Sequence, residues 1–167
     1  LIFGFEQLSS ECGIVSSSAM AHANNMVAWM GNGGFWVYDG YVRPLDCDLS
    51  DYVFGDFNTL QSSKVFALHN AAFGEVLWFY PSAASTEIDR YVLWNYRENH
   101  WSKGELARTA GAEQGVFMVP MMTTSDGKVY DHETGYNFDG SSPYAETGPM
   151  ELNNGATQVM VRQLIPD

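Results

Sequence analysis

The sequence is poor in cysteine and in basic residues. Cys12 and Cys47 are the only cysteines in 167 residues, which is too few for a disulfide framework, and they lack CxxC-type metal spacing. Lysine and arginine total 8 against 20 aspartates and glutamates, for a formal net charge of -12. Nucleic-acid binding usually starts from basic patches, so this composition argues against a protein that grips DNA. The acidic excess fits either a surface that repels DNA or ordinary solubility.

Long apolar runs and catalytic motifs are also missing. The longest apolar runs are far below the roughly 20 residues that a membrane-spanning helix needs, and nothing resembles a signal peptide. The sequence has no Gly-x-Ser-x-Gly elbow, phosphate-cradling loop or dinucleotide fingerprint. We therefore expect no membrane association, no cofactor and no enzymatic activity, with no residue assigned to catalysis or metal binding.

What the sequence does contain is typical of β-structure. Hydrophobic residues make up 46% of the chain and aromatic residues 14%, a composition that suits a pleated, half-buried surface. Glycine-rich and Asp-Gly segments supply the positive φ angles of tight hairpins. Strands are predicted at residues 1–5, 26–30, 35–40, 42–45, 64–69, 75–80, 90–96, 100–104, 116–122, 128–132, 144–152 and 159–165.

The strands recur with a period close to that of a propeller blade. Val37 and Val129 each begin a Val-Tyr-Asp triplet, and the triplets lie about two periods of roughly 45 residues apart. This predicts an all-β fold, a partial β-propeller of about three antiparallel blades over residues 1–49, 64–106 and 107–167. Chance similarity among aromatic strands is the alternative explanation of the repeat.

One segment between the first two blades is predicted to be helical. Val53, Phe57 and Leu60 follow the i, i+4, i+7 spacing of an amphipathic helix over residues 50–63. Ser50 or Asp51 is the expected N-cap, whereas Gly55 weakens the helix interior.

Three groups of polar residues are candidates for chemistry, each with a structural alternative. His132-Glu133 resembles half of a zincin motif but lacks the second histidine, so a solvated hairpin end is favoured. Four aspartates suggest calcium but lack the remaining EF-hand ligands, and caps or turns explain them better: Asp46, Asp48, Asp51 and Asp56. Glu87 and Asp89 could form a glycosidase carboxylate pair, although acids in loops are usually solvated.

The five tryptophans offer either a sugar-stacking platform or core packing: Trp29, Trp36, Trp78, Trp94 and Trp101. Core packing is the default for tryptophans within strands, and we predict that Trp36 and Trp78 are core residues. His100-Trp101 stands at the polar end of a strand and is the pair most open to a binding role.

The order of these elements resembles the packaged-DNA stabilisation proteins, or tail nozzles, of short-tailed bacteriophages. The resemblance covers most of the chain and depends on element order and aromatic spacing. It is carried by residues 3–6, 12–20, 27–30, 35–38, 51–63, 76–80, 91–96, 101–104 and 127–130.

The resemblance implies a structural subunit of the virion tail. Such proteins carry propellers and assemble as a ring, hexameric in the family, below the portal and adaptor. The ring continues the DNA conduit, retains the genome without specific binding and carries spikes or fibres. A carbohydrate- or receptor-binding β-domain of a phage tail is the alternative.

Three blades cannot close a propeller of at least about four blades. Apolar strands are also predicted at both ends of the sequence, at residues 1–5 and 159–165. Uncovered strand edges and faces promote association, so we expect missing upstream blades and a chain that oligomerises or aggregates when expressed alone.

Overall fold

The computed structural model describes Gln7 and residues 10–115, 117–136 and 142–146. The chain divides into two compact units, Leu1–Thr134 and Gly135–Asp167. In the second unit, the described residues Gly135, Tyr136 and 142–146 are exposed and lie in no helix or strand. The strand predicted over residues 144–152 therefore does not form at residues 144–146. Its remainder and the strands predicted at 1–5 and 159–165 lie outside the described residues.

The described part of the first unit contains three antiparallel sheets, so the all-β prediction is confirmed. The first sheet has the order β1-β2-β3-β4 and comprises β1 Met20–Ala23, β2 Met26–Gly31, β3 Gly34–Tyr38 and β4 Val42–Leu45. The middle sheet has the order β5-β6-β7-β8 and comprises β5 Phe66–Asn70, β6 Glu75–Tyr80, β7 Arg90–Asn95 and β8 His100–Glu105. The third sheet has the order β11-β10-β9 and comprises β9 Ala110–Ala112, β10 Met121–Thr123 and β11 Val129–Asp131.

Each described sheet is a meander, in which consecutive strands pair through short turns. Asn32 and Gly33 link β2 to β3, and Gly33 has a φ of 88°, in the left-handed region that glycine adopts at little cost. Gly127 takes a φ of 80° in the turn between β10 and β11. The Gly-containing hairpins predicted from the sequence are therefore present at both places.

The middle sheet is covered on both faces. One face packs against the first sheet, where Val76 and Trp78 share a core cluster with Met30 and Phe35. The opposite face carries Phe66 and Leu68, which form a second cluster with Met122 of β10 and other residues. Strand β5 contacts both β1 and β9. The second face of the middle sheet is covered at β5 and β6 and is open at β8, where His100 and Ser102 are exposed.

The predicted helix is shorter than expected. Helix α1 spans Ser50–Gly55, and a separate 3-10 helix spans Thr59–Lys64 after Asn58, whose side chain accepts a hydrogen bond from the Leu60 amide. The N-cap is Leu49, without a side-chain capping bond, rather than Ser50 or Asp51. Because the helical phase is lost at this break, Val53 is buried but Leu60 is 91% exposed, contrary to the i+7 prediction.

The strand predicted over residues 116–122 is largely wrong. Among the described residues of that range, Met121 and Met122 belong to strand β10, while residues 117–120 form bends and irregular chain. Pro120 precedes β10 and has no amide hydrogen to donate, which favours a strand start after it.

Candidate binding surfaces

The outer face of the first sheet carries a row of large side chains, here called the outer tryptophan face. Met20, Trp29, Trp36 and Pro44 lie directly opposite one another across β1, β2, β3 and β4. Met20 is 48% exposed, whereas Trp29 and Trp36 are partly buried. Side chains alternate between the two faces of a strand, so these four residues lie on the face opposite the core. The core face is lined by Ala28, Met30, Phe35 and Val37.

Backbone contacts fix the two tryptophans. The Trp29 indole Nε1 donates a hydrogen bond of 2.9 Å to the Cys12 carbonyl oxygen. The Trp36 indole lies against Gly31: a methyl group there would lie 2.8 Å from Trp36 Nε1 and 2.7 Å from the Gly13 carbonyl oxygen. The absence of a side chain at Gly31 therefore makes room for this packing.

A shallow, mainly apolar depression of about 360 Å³ lies beside Trp29. It is lined by Cys12, Gly13, Ile14, Met20, Val27 and Trp29. The side chain of Ile14 is 41% exposed, so apolar groups on this face are open to contact. Such a surface favours a flat, partly apolar partner over a small ion.

Of the two tryptophans predicted to be core residues, Trp78 lies on a core face and Trp36 on an outer face. Trp78 is fully buried, as predicted, and donates from Nε1 to the Ala19 carbonyl oxygen at 3.2 Å. The prediction for Trp36 is wrong because its position in β3 points to the outer face, which is only partly covered. Trp94 is buried, and Trp101 stacks on it at 6.2 Å between ring centroids. The sequence could not distinguish the two faces, because both alternate positions of β2 and β3 are apolar.

The His100-Trp101 pair is split between opposite faces of the middle sheet. Trp101 packs against the first core cluster and donates from Nε1 to the Asp46 carbonyl oxygen at 2.8 Å. His100 points the other way and its side chain is 53% exposed. The pair therefore does not form a single binding site.

A polar row crosses one end of the middle sheet, and sequence reasoning missed it. Asn70, Glu75, Asn95 and His100 lie directly opposite one another across β5, β6, β7 and β8. Burial raises the pKa of Glu75; the nearby Glu133 charge raises it further, whereas His100 and a hydrogen bond with Asn95 oppose the shift. The alternation that places four polar residues in register is visible only once the strand pairing is known.

Glu133 approaches this row from the segment after β11. Asn70 Nδ2 donates to Glu133 Oε1 at 3.2 Å, and Glu133 has a φ of 59°, in the left-handed region. Asn70 is only 2% exposed, and its Oδ1 has no hydrogen-bond partner among the described residues. Its Nδ2 is therefore the atom that ties Asn70 to the segment after β11.

His69 lies beside this row but faces the opposite side of β5. Its ring Nε2 lies 3.1 Å from the Tyr96 hydroxyl, and its backbone amide donates to Glu113 Oε1 at 3.0 Å. Burial lowers the pKa of His69; Glu113 opposes the shift, while His22 and Arg97 add to it. The contact with Tyr96 positions the imidazole, and the bond to Glu113 holds the backbone of β5.

His132 and Glu133, the candidate for half of a zincin motif, each contact other parts of the chain. Arg108 Nε lies 2.9 Å from His132 Nε2, and the His132 amide donates to the Pro120 carbonyl oxygen at 2.8 Å. The two side chains thus contact different neighbours, since Glu133 accepts from Asn70. They form no zincin-like arrangement.

The four aspartates between β4 and the 3-10 helix do not converge. Asp51 lies in the first turn of α1, and Asp56 forms an ion pair of 2.5 Å with Arg90. No group of three or more His, Cys, Asp or Glu side chains suited to a metal occurs among the described residues. Asp51 thus lies in a helical turn and Asp56 in an ion pair, and neither side chain caps the helix.

Glu87 and Asp89 each have a different partner. Lys64 Nζ lies 2.5 Å from Glu87 Oε1, while Asp89 accepts from the Ser82 amide at 2.7 Å and the Ser82 hydroxyl at 2.6 Å. Asp89 thereby closes the loop between β6 and β7. The two carboxylates serve as loop anchors.

A scan against models of known protein families finds no match, and a search of curated proteins finds none either. Within the described part of the chain, no helix has the length and apolar character needed to cross a membrane.

Proposed function

We propose that this chain is a structural subunit of a bacteriophage tail and supplies consecutive β-propeller blades to the wall of a nozzle ring. The ring would form a DNA conduit, retain the packaged genome and carry other tail proteins such as an adaptor, spikes or fibres. This proposal combines the resemblance in element order with the arrangement of the three sheets.

The observation that best supports the proposal is the packing of the middle sheet. It is a four-stranded meander that packs one face on the sheet before it and the other on the sheet after it. Radial repetition of such sheets is the architecture of a propeller, in which neighbouring blades cover each other's faces. Closure needs at least about four blades, so further sheets would come from other parts of the protein or from neighbouring copies.

We propose that the outer tryptophan face contacts the neighbouring blade or subunit in the ring. Trp29, Trp36 and Met20 present apolar area that neighbouring sheets cover elsewhere in this unit. Large apolar patches on folded proteins commonly mark interaction sites. The net charge of -12 would suit a conduit, because a negative surface repels passing DNA.

Light scattering after size exclusion tests association through this face. We expect the 18.6 kDa chain to elute as an oligomer, and a Trp29→Ser/Trp36→Ser double variant to shift toward monomer. Tyr41→Ser/Phe73→Ser is the matched control, since Tyr41 and Phe73 are 65% and 52% exposed on turns. A stable monomeric wild type, or equal loss of assembly in both variants, would contradict a role for this face.

Placement in the tail requires an image of the virion. A cryo-electron-microscopy map of a phage whose genome encodes this sequence should show the three sheets within a ring below the portal. Density for the chain in the capsid shell or on a detached fibre would refute the nozzle proposal.

A carbohydrate- or receptor-binding domain is the second candidate, favoured by the depression of about 360 Å³ beside Trp29. Partly exposed tryptophans present faces on which sugar rings stack. Titration with host surface glycans should then quench tryptophan fluorescence in the wild type but not in Trp29→Ser. Saturable quenching without oligomerisation would favour this candidate over the nozzle subunit.

A further inference from the structure

We infer that the Asn32-Gly33 pair is a site of spontaneous covalent modification, at which the asparagine side chain loses ammonia and becomes aspartate or isoaspartate. The pair forms the turn between β2 and β3, the two strands that carry Trp29 and Trp36. The inference depends on this turn alone and does not require the proposed tail function.

The attacking group is the backbone amide nitrogen of Gly33. Strand pairing ends with Gly31 opposite Gly34, so residues 32 and 33 lie beyond the ladder of backbone hydrogen bonds. Both residues are exposed, and a methyl group at Gly33 would meet no atom within 4 Å. Because glycine has no side chain to shield its nitrogen, the carboxamide carbon of Asn32 can approach it closely.

The reaction needs only water besides the chain itself. The Gly33 nitrogen forms a bond to Asn32 Cγ, the bond from Cγ to Nδ2 breaks, and Nδ2 takes up the displaced proton and leaves as ammonia. Closure of this succinimide ring is favoured because the reacting groups are held together on adjacent residues. Water then opens the ring. Cleavage between the nitrogen and Cγ gives aspartate, whereas cleavage between the nitrogen and the main-chain carbonyl carbon gives isoaspartate.

The turn between β1 and β2 provides a comparison within the same sheet. Asn24 and Asn25 are exposed there, but Asn25 and Met26 follow them, so a side chain hinders each attacking nitrogen. Other asparagines are held in place: Asn58 donates from Nδ2 to a carbonyl oxygen at 2.8 Å, and Asn70 is 2% exposed. Asn32 therefore combines exposure with an unhindered nitrogen.

Isoaspartate at position 32 would disturb the hairpin, because the backbone then runs through the former side chain and gains one carbon atom. A two-residue turn fixes the register of its strands, and here Gly31 pairs directly with Gly34. Gly31 also lies in close packing, since a methyl group there would lie 2.8 Å from Trp36 Nε1. Modification should therefore displace Trp36 and loosen the outer tryptophan face.

Peptide mass spectrometry of the full chain, after incubation at mildly alkaline pH, tests the site. The mass change from amide to acid should appear at Asn32 about tenfold faster, or more, than at Asn24 or Asn25, because the barrier to attack is lower. Trypsin leaves these three asparagines in one peptide that ends at Arg43, and fragmentation distinguishes them. A second Asn-Gly pair, at 154 and 155, lies outside the described residues and falls in a different tryptic peptide.

Asn32→Gln is the test variant, because its longer side chain closes a ring less readily, and Asn25→Gln is the matched control. Asn32→Gln should remove the fast modification from this peptide, whereas Asn25→Gln should keep the wild-type rate. An unmodified Asn32 in the incubated wild type, or equal conversion at all three asparagines, would overturn the inference. The wild-type comparison decides alone if Asn32→Gln does not fold.

The effect on Trp36 has its own measurement. The separated isoaspartate fraction should unfold at a lower denaturant concentration than the unmodified chain. Asn32→Asp carries the same added charge on an ordinary backbone, so its unfolding midpoint should stay close to that of the wild type. Equal midpoints for the isoaspartate fraction and Asn32→Asp would overturn the proposed displacement of Trp36.

Discussion

At the scale of single residues, the two faces of a strand give identical side chains different roles. Trp36 in β3 and Trp78 in β6 both lie within aromatic runs, but only Trp78 is fully buried. Its indole contacts Phe35 at 4.9 Å and Trp101 at 5.9 Å between ring centroids. The free energy contributed by each tryptophan should follow this difference in packing.

Trp78→Ala should lower the free energy of unfolding by about 3–5 kcal/mol, since it removes a buried ring and leaves a cavity. Trp36→Ala should cost less, about 1–2 kcal/mol, because less apolar area is withdrawn from water. Denaturant titration at low protein concentration measures both. Equal losses in the two variants would contradict the assignment of faces.

The imidazole of His69 should make stability depend on pH. Its folded pKa is lowered from the ordinary value of 6.5, with burial as the main cause. The unfolded state therefore takes up a proton first as the pH falls, so the contribution of neutral His69 is complete above 6.5 and is lost below it, toward the folded pKa. Between about pH 7 and pH 5, the wild type should lose more unfolding free energy than His69→Gln.

His100→Gln provides the comparison for this measurement, because it removes an exposed histidine from the same sheet. Its pH profile should stay steeper than that of His69→Gln, because the buried imidazole is retained. A His69→Gln profile as steep as the wild-type profile would show that other groups cause the loss.

At the scale of the elements, two glycines have different surroundings: Gly31 lies in close packing, and Gly55 borders open space. A methyl group at Gly31 would lie 2.7 Å from the Gly13 carbonyl oxygen, whereas a methyl group at Gly55 would meet no atom within 4 Å. Gly55 also ends helix α1 with a φ outside the left-handed region. The same substitution should therefore have opposite signs at the two sites.

Gly31→Ala should destabilise the chain by about 1–3 kcal/mol, since a neighbouring backbone must move. Gly55→Ala should stabilise it by about 0.4–1 kcal/mol, because the unfolded chain loses conformational freedom. Thermal melts of both variants provide the measurement. Stabilisation by Gly31→Ala would refute the close approach of the Cys12–Gly13 segment to β2.

Most strands of the first two sheets were predictable, but β1 of the first sheet and β9 of the third sheet were missed for a shared reason. Strand β1 has the sequence Met-Ala-His-Ala, and β9 is Ala-Gly-Ala, so neither has the β-branched and aromatic residues typical of strands. Small residues occur there because sheets approach closely: Ala21 and Ala23 are buried, and a methyl group at Gly111 would lie 2.9 Å from Leu68 Cδ1. Alternating alanines at positions 19, 21 and 23 were the signal available in the sequence.

The candidate surfaces were less accessible to sequence reasoning. The row from Asn70 to His100 depends on the register of four strands, which local patterns do not determine. Glu133 reaches Asn70 across 63 positions of sequence, and no spacing rule connects them. Such a site emerges only when separate hairpins pack together.

At the scale of the whole molecule, charge should prevent DNA binding. The net charge of -12 opposes the phosphate backbone, and salt bridges already engage Arg43, Lys64 and Arg90. We expect no saturable binding of duplex DNA at about 0.15 M salt in a fluorescence anisotropy titration. Tight binding that weakens steeply with salt would contradict this expectation and indicate a basic surface not apparent from the sequence.

The double coverage of the middle sheet also sets an order for local opening. Either outer sheet can detach while the middle sheet keeps one neighbour, but the middle sheet cannot open without exposing surfaces on both sides. Amide protons of Leu68, Trp78 and Val92 should therefore exchange with deuterium more slowly than those of β2 or β10. When sheets pack in series, each added sheet slows the opening of the sheet that it covers. The middle sheet should therefore unfold more slowly than a single sheet would alone.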